Sequence, residues 1–158
     1  MTERRRTGAP GPVNGSAVFV ALECRVGLGR MAVATEVIDV LGEYAVGVRL
    51  PLTDRIAYSV GVWEDEVVLS LSLARTERAA AGVASGLVLA APGSATRWAF
   101  EIVAPVGLVD VVSISKPQST ATRWLRTASL ARGAQIQFVD LRLLIEELEA
   151  APSQDARP

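Results

Sequence analysis

From residue 17 to residue 139 the chain runs in short apolar stretches broken by Gly, Pro and small clusters of charge. That rhythm admits strands and tight turns and leaves little room for helices. Strands are expected over 17–26, 30–35, 56–62, 66–73, 86–91, 97–103, 106–114, 124–131 and 134–139. Val67 to Leu73 shows the alternation of a half-buried strand, and the Val- and Ile-rich character of the others fits a pleated, partly buried surface.

Two segments break the rhythm. After Thr35, the residues Val37, Ile38, Val40 and Leu41 fall at roughly helical spacing, so a short helical turn is expected near 35–41. From Asp140 to Ala150 the helical pattern is fuller, with Leu141, Leu144, Ile145 and Leu148 at i, i+3, i+4 and i+7 on one stripe. Asp140 stands where a side chain can accept from the free N–H groups of the first turn. Glu146, Glu147 and Glu149 oppose the helix dipole at the far end, so packing has to hold this helix.

Residues 1–16 read as a flexible leader and 151–158 as a frayed tail. The Ala-rich stretch 74–86 divides the strands into two groups, as a loop or one loose helical turn. Two groups of short strands fit two small closed barrels, which leave no exposed sheet edge.

Composition narrows the function. Half of the 158 residues are apolar and the net charge is −1, which excludes disorder for most of the length and any bulk pull toward nucleic acid. There is no His, and Cys24 is the single cysteine. The commonest general base is therefore absent, along with any intrachain disulfide or cysteine zinc site. The basic run Arg4-Arg5-Arg6 is not followed by an apolar segment, and no apolar run is long enough to span a bilayer. A cytoplasmic protein with no direct membrane insertion is expected.

Several short motifs have simpler readings than chemistry. Gly27-Leu28-Gly29-Arg30-Met31-Ala32 has the form of a dinucleotide fingerprint, but it runs into another strand and reads as a hairpin turn. Ser113-Ile114-Ser115-Lys116 matches S-x-x-K, yet it falls at a strand end just before Pro117 rather than at a helix start. Glu64-Asp65-Glu66 and Glu146-Glu147 read as a solvated turn and a solvated helix face. Trp98, Trp124 and Cys24 read as core. Trp63, directly before an acidic turn, is the exception, because an aromatic beside charges suits a protein-binding hot spot.

The closing segment, Trp124 to Leu130, Ala131 to Ala134 and Gln135 to Ile145, reads as strand, tight turn at Gly133, strand and helix. That order resembles the end of the CheW-like domain, the adaptor module of bacterial chemotaxis arrays. The resemblance extends over most of residues 17–148. Val18-Phe19-Val20 resembles the opening strand, Met31 to Leu41 the second strand running into V-x-x-V-L, and Leu50-Pro51 the approach to the central motif. Ser59 to Leu73 lies over G-V-x-N-L-R-G-x-V-V-P-V-x-D-L. Trp98 to Val111 lies over F-G-L-x-V-D-x-V-x-G-V-x-x-V, with Gly107 at the matching glycine. The chain departs from the family at its most recognisable turn, where N-L-R-G is replaced by Val62-Trp63-Glu64-Asp65. Ser72 and Val103 stand at two family aspartates, and Asp140 retains the third.

The resemblance implies a mainly β fold of two small SH3-like five-stranded barrels with a C-terminal helix. One CheW-like domain would span 17–150, with barrel one at about 17–75 plus the helix 140–150, and barrel two at about 84–139. It also implies a non-enzymatic adaptor, without cofactor or metal, that couples the regulatory domain of a CheA-like histidine kinase to a chemoreceptor tip, to other CheW-like domains or to another signalling partner. The interaction residues would be Val62, Trp63, Glu64, Asp65 and Glu66, with Trp63 as the anchor. Where family members carry an arginine tied to receptor and kinase coupling, Glu64 reverses the charge, so the same surface would select a different partner. Other readings are a scaffold for motility or polarity control and a small-molecule-binding β-barrel subunit.

Overall fold

The computed structural model describes residues 18–27, 29–53, 55–73, 81–90 and 96–155, with backbone alone for 151–155. The expected leader, most of the Ala-rich stretch and the end of the tail lie outside these residues. The described chain forms β1 (Phe19–Val26), β2 (Gly29–Ala34), β3 (Ile38–Val46), β4 (Leu50–Pro51), β5 (Ala57–Trp63) and β6 (Glu66–Ser72). It continues with β7 (Gly82–Leu89), β8 (Arg97–Ile102), β9 (Ala104–Ile114), β10 (Leu125–Leu130), β11 (Gln135–Val139) and the helix α1 (Leu141–Asp155). The fold is mainly β with a single α-helix at the end among the described residues, as the apolar rhythm requires.

The strands form two sheets. In the first, β1-β2-β11-β10-β9 close into a five-stranded barrel. β10 and β11 make an antiparallel hairpin around Gly133, which holds φ of 99°. β11 then runs parallel to β2, with Gln137 opposite Met31 and Phe138 opposite Ala32. Ala21, Ala32, Val111, Ala128, Leu130 and Phe138 form the buried centre of this barrel, and the Phe19 ring meets the Phe138 ring edge-on at 5.7 Å. In α1, Leu141 and Leu144 are buried. The Asp140 carboxylate accepts from the Leu143 N–H at 3.1 Å, the cap its position predicts.

The second sheet has the order β3-β7-β8-β6-β5-β4, and a further pairing of β3 with β5 closes its first five strands into a ring. The two strand sets are thus consistent with a pair of small SH3-like barrels. Compact grouping of the backbone follows the same division, with 24–30 and 104–106 assigned to the second unit.

Three expectations need correction. First, the barrels are not consecutive in sequence at 17–75 and 84–139. β3–β8 make one barrel, while β1, β2 and β9–β11 make the other. β6 and β7, on either side of the Ala-rich stretch, belong to the same sheet, and Gly82 to Gly86 within that stretch is strand. Second, the helical spacing near 35–41 yields only a 3-10 turn at Thr35–Val37, followed by β3. Val40, Gly42, Tyr44 and Val46 share one face at a period of two, and the register shifts between Ile38, opposite Leu89, and Val40, opposite Val88, so the regular alternation begins only at Val40. Third, α1 continues through Asp155 instead of fraying at 151.

Candidate functional site

The turn expected to bind a partner is a two-residue β-hairpin. Trp63 pairs with Glu66, leaving Glu64 and Asp65 as the connection between β5 and β6. Both hold positive φ, 46° and 68°. That is the backbone of a type I′ turn, whose twist suits a hairpin and whose usual occupants are Asn and Gly. A non-glycine residue in the left-handed region carries roughly 1–2 kcal/mol of strain. Two carboxylate residues are therefore held where folding alone favours others.

Alternation along β5 and β6 divides the hairpin residues between two faces. Trp63 and Glu66 turn toward the barrel mouth. The Trp63 ring lies over Gly42 of β3, where an added Cβ would stand 2.8 Å from the ring edge. Trp63 is half-buried against Tyr44, Val46, Val68, Ala84, Val88 and Ala99. It braces the hairpin against the barrel interior. Arg97 of β8 ties the same mouth together by pairing with Asp39 of β3 and, at 3.2 Å, with Glu66.

Val62 faces outward, and the strand register extends that face sideways. Val62 is opposite Val67 on β6 and opposite Ala45 on β3, while Ala45 is opposite Val83 on β7. Directly opposed residues point to the same side of a sheet with Cβ atoms about 5 Å apart. Val83, Ala45, Val62 and Val67 therefore form one continuous row across four strands. All are exposed, Val83 by 71%, Val67 by 64% and Val62 by 49%. Val60, two residues from Val62, and Leu50, opposite Tyr58, are also exposed and widen the face. Sequence reasoning reached Val62, Glu64 and Asp65 here, and Glu66 on the other face, but missed Ala45, Val67 and Val83. The signal was available in 38–46, where a period of two sends Glu43 and Ala45 outward.

The inner face of this barrel is partly polar. The Tyr44 hydroxyl and the Ser70 Oγ are 2.9 Å apart and buried. Ser70 donates to the Glu101 carboxylate at 3.2 Å, and Arg49 donates to both Glu101 oxygens at 2.9–3.1 Å. Burial raises the Tyr44 pKa above the ordinary tyrosine value. The hydrogen bonds to Glu101 raise that of Arg49. Gly86 leaves room for this group, because a Cβ there would fall 2.5 Å from the Tyr44 hydroxyl and 2.8 Å from the Phe100 carbonyl oxygen. Ser59, opposite Ser70, buries an Oγ with no partner among the described residues.

The remaining motifs fall into structural places. Gly27, with φ of 59°, turns β1 into β2, the hairpin reading of the Gly-rich segment. Ser115 follows β9, where its Oγ accepts from the Thr127 N–H and its carbonyl accepts from Arg126 Nε. Glu147 pairs with Arg123 at 2.7 Å. Trp98, Trp124 and Cys24 are buried. Among the described residues no helix is long and apolar enough to cross a membrane, and no three His, Cys, Asp or Glu side chains converge as a metal site. No protein-family model matches the chain, and no curated protein matches it.

Proposed function

We propose that this chain is a non-enzymatic docking protein, an adaptor that couples a CheA-like histidine kinase to a chemoreceptor or another signalling partner in the cytoplasm. The observation that carries the reading is the outward apolar row of Val83, Ala45, Val62 and Val67 beside the strained acidic hairpin. Such a row gains nothing in water and loses exposed apolar area when a partner covers it. The two-barrel architecture with its closing helix supports the CheW-like resemblance that names the partners. The reversed charge at Glu64 favours a partner distinct from the one a standard adaptor selects.

The test is binding of the full chain to the regulatory domain of the CheA-like kinase from the same organism, measured by calorimetry alongside Glu64→Arg. Micromolar binding by the wild type supports the adaptor role, and its loss in the variant locates the contact at the hairpin. Binding gained only by Glu64→Arg means the fold serves a different partner. Absence of binding in both ends the kinase-coupling reading.

A further inference from the structure

We propose that the outward face of β3, β5, β6 and β7 docks a protein partner whose own contact patch is apolar at the centre and bordered by Arg or Lys side chains. This inference rests on the docking reading above and specifies the chemistry of the surface that does it.

The apolar half of the argument is the row itself. Exposed valines scattered singly over a surface are ordinary, but four outward apolar residues in cross-strand register form a contiguous strip. The strip belongs to a rigid ring, so covering it requires little ordering of this chain.

Charge fixes the partner's border. Glu43 lies two residues before Ala45 on the same outward face of β3, and Glu64 and Asp65 follow Val62 at the hairpin tip. All three are exposed, and no cation pairs with them among the described residues. Three described arginines lie between β3 and β8. Arg97 is committed to Asp39 and Glu66, and Arg49 to Glu101. Arg55 precedes β5, at the opposite end of that strand from the hairpin. The strip therefore presents an apolar centre bordered by negative charge that no described cation pairs with. A cation-bordered partner is steered toward such a surface, and an acidic one is repelled.

The backbone adds an independent reason to assign these carboxylates a role. Glu64 and Asp65 hold left-handed conformations that Asn and Gly adopt more readily. Strain retained at two successive charged positions is explained by what their side chains meet.

The experiment displays a library on a small three-helix scaffold, with one face randomised among Ala, Val, Leu, Ser, Arg, Lys, Asp and Glu, and selects it against the full chain. Clones that also bind Val62→Asp/Val67→Asp are removed. The expected result is a set of clones with apolar centres and Arg or Lys borders. Their affinity should fall about tenfold or more with Glu64→Lys/Asp65→Lys, and should weaken with added salt. Val83→Asp, at the far end of the row, should also weaken binding and serves as the probe should the double variant misfold. Clones with acidic or neutral borders, clones indifferent to Val83→Asp, or no enrichment at all would overturn the proposal. Running the kinase regulatory domain alongside separates the two readings. Kinase binding that ignores the Val62, Val67 and Val83 variants leaves the adaptor standing and removes this surface. The expected clones without kinase binding leave the surface standing and remove the kinase.

Discussion

The two barrels are of similar size and are filled differently. The first is centred on Ala21, Ala32, Val111, Ala128, Leu130 and Phe138, a largely apolar interior with one aromatic pair, and its buried carboxylate, Glu23, pairs with Arg132 from the surface at 3.5 Å. The second carries a Tyr44–Ser70–Glu101–Arg49 chain of hydrogen bonds inside and leaves valines outside. An apolar interior stabilises by area and tolerates modest change in shape. A hydrogen-bonded interior fixes one arrangement, because each member left unpaired costs its full desolvation. The barrel with the specified interior is also the one that presents the apolar row. Fixing strand register from within keeps that row aligned on the outside.

The contrast is sharpest when each interior loses its key member. Phe138→Ala in the first barrel should cost about 3–5 kcal/mol by denaturant unfolding. In the second, Glu101→Ala should cost about 3 kcal/mol by leaving Arg49 largely buried without its carboxylate. The double change Arg49→Met/Glu101→Leu should recover most of that loss. A double variant no more stable than Glu101→Ala would mean the pair is not the source of the effect.

Tyr44 gives the second barrel an alkaline sensitivity. Its folded pKa is raised by burial, so from about pH 10 upward the unfolded chain releases this proton while the folded one retains it. The stabilisation is therefore complete below pH 10 and is lost as pH rises further. Tyr44→Phe should cost about 1 kcal/mol at neutral pH and flatten the alkaline decline in Tm. An unchanged slope in the variant would assign the decline elsewhere.

At the hairpin, Glu64→Asn/Asp65→Gly should raise stability by about 1–2 kcal/mol, because both new residues accept positive φ. A gain in stability that comes with weaker partner binding would separate the two demands on this turn. The smallest effect is expected from Ser59→Ala. Removing an unpartnered buried hydroxyl should change stability by less than about 0.5 kcal/mol, or raise it slightly. A loss above 1 kcal/mol would mean that Ser59 has a partner in solution.

Local pattern made most of the elements legible. The nine expected strands all correspond to observed ones, and the Asp140 cap and the stripe of α1 stand as read. What the sequence hid was pairing between distant segments. Nothing in Met31 or Gln137 announces that β2 and β11 lie parallel, so the division of strands between barrels was misread. β3 was hidden for a different reason. A short apolar run fits both a period of two and a helical period, and only its continuation through Tyr44 and Val46 decides between them. At the site, the hairpin was visible from its charges. The inward turn of Trp63 and the row joining Val62 to Val83 depend on register across strands, which composition does not encode.

The order of the strands in the sequence, with β3–β8 placed between β2 and β9, has a consequence for how the molecule is made. β3–β8 form an unbroken span, so their barrel can assemble as soon as that part of the chain has left the ribosome. The other barrel must wait for β11 to meet β2, a closure across about a hundred residues. Until then β1 and β2 remain an open hairpin with an unpaired edge, the nascent state most exposed to mispairing. A chain cut before Gln135 would keep every strand of the β3–β8 ring, and the outward valine row with it, yet lack the strand that closes the other barrel.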